Sequence, residues 1–205
     1  ILIKKYNFEE ENITLLLNSN ATKINILDNY TNLIKNAKNG DSICFTFSGH
    51  GYHAIDKSFD EKDGQDELLV PHDLDFIYDD DLKKILDDNL QEGVQMFSLI
   101  DSCHSGTMLD LKYKLNKSNG LDENKSYKAT KGQVIMLSGS KDYQLSYDAL
   151  INSQYNGVLT YVLTYALENN ENKTWIELVE NIRKIISDEH FDQTPQLSFG
   201  QSVVP

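Results

Sequence analysis

At 205 residues, 40% hydrophobic and 25% charged, the chain has the make-up of one soluble domain long enough to bury a sizeable core. No run approaches the roughly 18 apolar residues of a membrane span, and no signal peptide is visible. A net charge of −13 argues against a nucleic-acid backbone as partner and fits basic peptides or divalent cations, though acidity also serves solubility.

In chain order, the sequence opens without Met inside what reads as a helix end, so a leading segment is expected ahead of Ile1. The apolar run 13–17 is a short strand candidate. Thr22 is placed to cap a helix whose Ile26, Leu27, Tyr30, Leu33, Ile34 and Ala37 recur at 3.6-residue spacing, with Gly40 as its stop. The run 43–47 is a buried strand, and Ser48-Gly49-His50-Gly51 is the turn after it. Residues 56–81 form an acidic loop with almost no apolar periodicity. Asp79 or Asp80 then caps a helix built on Leu82, Ile85, Leu86 and Leu90, which Gly93 ends.

The run 95–100 is a second buried strand, and Asp101-Ser102-Cys103-His104-Ser105-Gly106 follows it. Residues 111–132 are polar, Lys- and Asn-rich and without periodicity, which predicts an exposed connection. A further strand covers 133–138, and helices cover 157–167 and 174–186, the second opened by a Thr174–Glu177 capping box. Strands alternating with helices predict an α/β fold with a mostly parallel sheet covered on both faces, where reactive residues gather at the strands' carboxyl ends.

Two such ends carry chemistry. A thiol at Cys103 and an imidazole at His50, each just past a buried strand, are the parts of a cysteine nucleophile with its own base. A free thiol is only a few per cent ionised at neutral pH, so a nearby imidazole raises the reactive fraction and can protonate a leaving amine. His104 is a rival base, but neighbours on an extended segment point apart. A zinc site from His50, His53, Cys103 and His104 is a second alternative, unlike any closed Cys/His framework. Two cysteines, Cys44 within a strand and Cys103 at a strand end, make no disulfide framework and fit a reducing compartment, the cytoplasm.

Ser48-Gly49-His50-Gly51 and Asp101-Ser102-Cys103-His104-Ser105-Gly106 together resemble the metacaspases, caspase-like cysteine peptidases. His50 and Cys103 stand about 50 residues apart, the separation of a caspase-type pair. The match runs on through Asp63-Gly64-Gln65-Asp66-Glu67, Val70-Pro71-His72-Asp73, Tyr78-Asp79-Asp80, Leu109-Asp110-Leu111, residues 135–142 and residues 194–198. Metacaspases normally begin with a strand and helix carrying a Gly-Cys-x-Asn-Asp-Ala-like segment, which has no counterpart here.

The resemblance implies one caspase-like three-layer domain over 1–205, with a large-subunit-like part (1–110), an exposed linker (111–132) and a small-subunit-like part (133–205). It makes Cys103 the nucleophile and His50 the base, with the N–H groups of Gly51 and Cys103 as oxyanion hole. Asp101, helped by Ser48, lines the pocket for the residue before the cut and selects Arg or Lys, with Asp142 and Gln144 as weaker contacts. Asp66, Asp79, Asp80 and Asp110 become ligands of an activating, weakly bound calcium ion, although surface charge alone could explain an acidic loop. Asp56, Asp60 and Asp63 miss the EF-hand register. The expected partners are basic peptide or protein substrates met by a monomer. Self-cleavage in the linker that carries Lys112, Lys114, Lys117, Lys125, Lys128 and Lys131 is a further expectation. The alternatives are a non-catalytic caspase-fold binding module and a protease of the same fold cutting after Asn or Asp.

Overall fold

The computed structural model describes residues 1–55, 64–140, 148–151, 154–169 and 174–202. Its elements run α1 (Leu2–Tyr6), α2 (Lys23–Asn36), β1 (Ser42–Ser48), β2 (His50–Ile55), β3 (Gln65–Val70), β4 (Ile77–Tyr78), α3 (Asp79–Asn89) and β5 (Gln95–Asp101). Then come β6 (Tyr113–Leu115), β7 (Leu121–Glu123), β8 (Gln133–Ser138), β9 (Asp148–Ile151), β10 (Gln154–Gly157), α4 (Val158–Asn169), α5 (Trp175–Asp188) and β11 (Gln196–Phe199).

The central sheet has the order β1-β5-β8-β11-β6-β7. Its long strands β1, β5 and β8 are parallel, and β11, β6 and β7 extend it antiparallel. Period-two alternation sends Met96, Ile100, Val134 and Met136 to one face, where Ile26, Tyr30 and Ile34 of α2 and Leu82 and Leu86 of α3 cover them. Leu99, Ile135, Leu137 and Leu197 go to the other face, under Val158, Leu159 and Val162 of α4 and Leu178, Val179 and Ile182 of α5. The result is a caspase-like α/β sandwich of three layers. Helix starts follow the capping residues: Thr22 Oγ1 accepts from the Asn25 N–H at 3.3 Å, and Thr174 Oγ1 from that of Glu177 at 3.1 Å.

Four local expectations change. Residues 13–17 are not a strand; they run between two 3₁₀ turns with Leu15 and Leu17 exposed, since an apolar run needs a sheet neighbour to become a strand. Helix α3 is not capped by Asp79 or Asp80: Tyr78 holds the cap position, and its N–H donates to Asp81 Oδ2. The acidic loop contains β3, middle strand of a small antiparallel sheet β2-β3-β4. The segment 111–132 is more than an exposed connection, because β6 and β7 form a hairpin on the main sheet's edge and Leu111, Leu115 and Tyr127 of the segment are buried. Short apolar anchors spaced through Lys and Asn are invisible to a periodicity test.

Candidate active site

Strands β1 and β5 lie side by side, paired from Ser42↔Gln95 to Ser48↔Asp101. His50 and Cys103 each follow two residues past that last pair, so parallel register brings an imidazole and a thiol to the same edge level. Two contacts hold this edge together. The Gly49 N–H donates to the Asp101 carbonyl at 3.2 Å. Gly51 lies so close to the Cys103 backbone that a Cβ there would stand 2.0 Å from the Cys103 carbonyl oxygen. Only glycine fits at this approach.

His50 is exposed and Cys103 half-buried. The chain is tied down on both sides of Cys103: the Gly139 N–H donates to the Ile100 carbonyl at 2.8 Å before it, and Ser105 Oγ to the Ser102 carbonyl at 2.8 Å after it. His104 sits at φ 50°, a left-handed turn right after the thiol. Its ring packs edge-on against His53, centroids 4.6 Å apart, and His53 stacks on Tyr52. His53 and His50, three residues apart on β2, occupy opposite faces, which separates the four groups of a zinc site. Among the described residues, the cluster with metal-ligand spacing is instead Asp79, Asp80 and Asp110. The other cysteine is no rival, because burial pushes the Cys44 thiol up to about 11.

Asp101 is only 4% exposed. Its Oδ2 accepts from the Thr160 N–H at 2.8 Å and from Thr160 Oγ1 at 2.7 Å, and that hydroxyl lies 3.2 Å from Ser48 Oγ. The two predicted pocket residues are thus joined by Thr160, which sequence reasoning missed. Fifty-nine residues separate it from Asp101, and no local signal connects them. Asp142 and Gln144 lie outside the described residues.

Four carboxylates are buried on β3, at the start of α3 and in the segment after Cys103: Asp66, Glu67, Asp79 and Asp110. Ligand oxygens of Asp79, Asp80 and Asp110 lie within 4.8 Å of one another. Asp79 Oδ2 accepts from the Glu67 N–H at 2.8 Å and Oδ1 from the Asp80 N–H at 2.7 Å. Burial pushes the Asp79 carboxyl up to about 6, against the pull of those bonds and of the Glu67 side chain, with the Asp66 charge adding to the rise. Three carboxylates crowded this way, all oxygen donors, suit a hard cation such as calcium. Asp66 stands next to this trio as a charge neighbour, outside the three that converge. Glu67 was also missed. Its Oε2 accepts from Thr107 Oγ1 at 2.6 Å, linking the acidic centre to the segment after Cys103.

Residues 1–112 match the family model described as the metacaspase, peptidase C14 domain. Metacaspase-1A of Aspergillus oryzae is 32% identical over an alignment covering 96% of this chain and 60% of the relative. Metacaspase-1B of Neurospora crassa is 33% identical, with 96% and 59% covered. The chain thus spans about 60% of the length of these relatives. The solved structure of protein GSU0716 from Geobacter sulfurreducens superposes with a TM-score of 0.69 at 26% identity, covering 92% of this chain and 76% of that one. Among the described residues no helix is long and apolar enough to cross a membrane.

Proposed function

This chain belongs to the metacaspase family of caspase-like cysteine peptidases, and on that footing we propose that it is a calcium-dependent endopeptidase cleaving after Arg or Lys. The observation that carries the reading is the register of β1 on β5, which sets His50 level with Cys103 and seats Gly51 against the nucleophile's own backbone. His50 takes the Cys103 proton, and the thiolate attacks the carbonyl carbon of the peptide bond. The N–H groups of Gly51 and Cys103 receive the negative charge on the carbonyl oxygen. The C–N bond then breaks, His50 returns its proton to the leaving amine, and a thioester remains on Cys103. Water, deprotonated by the same imidazole, hydrolyses the thioester and frees the thiol.

Asp101 and Ser48 select the residue before the cut, since a buried carboxylate favours a cation and disfavours an acidic side chain. Asp79, Asp80 and Asp110 hold calcium, with Asp66 contributing charge; the ion supplies the positive charge that lets these carboxylates ionise together. Two cysteines without a disulfide suit a reducing compartment such as the cytoplasm, and the enzyme acts as a monomer on basic peptides or proteins. Cleavage within the Lys-rich hairpin segment 111–132 is the self-processing this specificity allows.

The test is hydrolysis of fluorogenic peptides ending in Arg, Lys, Asp or Asn, with millimolar calcium or a chelator. Cleavage after Arg and Lys alone, lost in Cys103→Ala and in chelator, is expected. Retained cleavage by Cys103→Ala would sink the nucleophile assignment. Silence in every well, with a folded protein, would favour a non-catalytic binding module of the same fold.

A further inference from the structure

The carboxylate proposed to select the substrate does not stand alone in its niche. Asp101 ends β5, yet two donors that reach its Oδ2 come from one residue of another element, Thr160 in the first turn of α4. A negative group at a helix start is favoured by the unsatisfied N–H groups and by the helix dipole. Two donors converging on a single oxygen also fix the rotation of the carboxylate plane. The Thr160 hydroxyl lies 3.2 Å from Ser48 Oγ as well, so one side chain organises both pocket residues. Space enforces the arrangement, because a Cβ on Gly157, immediately before α4, would come within 2.2 Å of Asp101 Oδ2.

We propose that Thr160 is a positioning residue for substrate selection: with the start of α4 it clamps the Asp101 carboxylate in the charged, oriented form that pairs with an Arg or Lys side chain. The inference rests on Asp101 being the selecting carboxylate. Its consequence is specific. Thr160 touches no reacting atom, so its loss leaves the nucleophile and base in place and weakens discrimination between a cation and a neutral side chain of the same shape. A rotated Asp101 still fills its niche, but its charge no longer meets the substrate's in a pairing geometry.

The experiment compares two peptides that differ only in Arg or its neutral isostere citrulline before the cut. For each variant the ratio of kcat/KM values is measured at saturating calcium, and the ratio of dissociation constants is measured in the Cys103→Ala background, where no chemistry enters. Thr160→Val keeps the backbone N–H and the branched bulk while removing the hydroxyl, and Thr160→Ser restores it. Thr160→Val should lower the Arg-over-citrulline preference about tenfold, the worth of one hydrogen bond to a charged group, mainly through KM. Thr160→Ser should keep it. Should Thr160→Val not fold, Thr160→Ala, well suited to a helix turn, gives the same reading.

Asp101→Asn serves as the reference. If it loses the preference while Thr160→Val and Thr160→Ala keep theirs, the positioning role is wrong and the pocket reading stands. An equal loss on both peptides in Thr160→Val, with an unmoved ratio, makes Thr160 merely structural and overturns the inference. If Asp101→Asn keeps the preference in turnover and in binding, the pocket reading fails and the inference falls with it.

Discussion

Two niches in this fold bury carboxylates, and they treat them in opposite ways. At the end of β5, Asp101 is met by donors, the N–H and hydroxyl of Thr160 at 2.8 and 2.7 Å. At the start of α3, Asp79 is met partly by other acids: Asp66, Glu67 and Asp110 are buried around it, and burial holds its carboxyl up to about 6. The first niche holds its carboxylate in place with donors from the chain itself. The second leaves its ionised form penalised by roughly 3 kcal/mol at neutral pH, a cost that a bound cation would remove. Both carboxylates are buried and both accept from N–H groups; what sets the second apart is the company of other acids.

The sharpest way to break this contrast is to empty each niche in turn. Asp101→Ala should reduce turnover of Arg peptides by a hundredfold or more. It should also cost on the order of 1–3 kcal/mol in stability, because the first turn of α4 loses its acceptor. The check is kinetics beside thermal unfolding, and a loss of stability without the kinetic effect would make Asp101 a helix cap only. The double change Asp79→Ala with Asp80→Ala should abolish any calcium-induced rise in Tm and in activity. An undiminished calcium response would move the cation site elsewhere.

A pH series separates the niches without deleting either. The folded-state pKa of Asp79, about 6, lies above its ordinary value of 3.8. Its contribution to stability is therefore fully present below about pH 4 and is lost as pH rises through about 6. In chelator, unfolding free energy should carry a downward component across that window, of up to roughly 3 kcal/mol. Asp79→Asn should flatten it and stabilise the calcium-free protein near pH 7.5. If denaturant midpoints for wild type and Asp79→Asn run parallel from pH 4 to 7, the strain assigned to this niche is not there.

How much of this was legible in the sequence follows from the range of the forces involved. The strands 43–47, 95–100 and 133–138 and the Thr22 and Thr174 caps are local patterns, and each lies where its residues predict. The ends of β1 and β5 lie there too, although His50 and Gly51, read as part of a turn, open strand β2. Strand β3 was hidden because Asp66 and Glu67 sit in it as buried acids, at 4% and 2% exposure, and acidic residues normally signal a loop. The β6–β7 hairpin owes its place to β11, some eighty residues later, and so could not be read locally. Thr160 and Glu67 act through partners 59 and 40 residues away. A residue's identity gives no hint of such a partner until the fold brings the two together.

The smallest expected effect is the one that would tie the acidic niche to the nucleophile. Thr107, four residues past Cys103, donates its hydroxyl to Glu67 Oε2 at 2.6 Å, and Glu67 in turn donates its N–H to Asp79. A change in charge state around Asp79 therefore has a path of two hydrogen bonds to the segment that carries the thiol. Asp110 closes the same segment at its other end, at φ 44°. Thr107→Val removes one charge-assisted bond and leaves every carboxylate, so calcium affinity by calorimetry should change by less than about threefold, and stability should fall by about 1–3 kcal/mol. Activity at saturating calcium should nevertheless drop several-fold and return in Thr107→Ser. Full activity in Thr107→Val would mean that the acidic niche acts on Cys103 by another route, with Asp110 the side chain to change next.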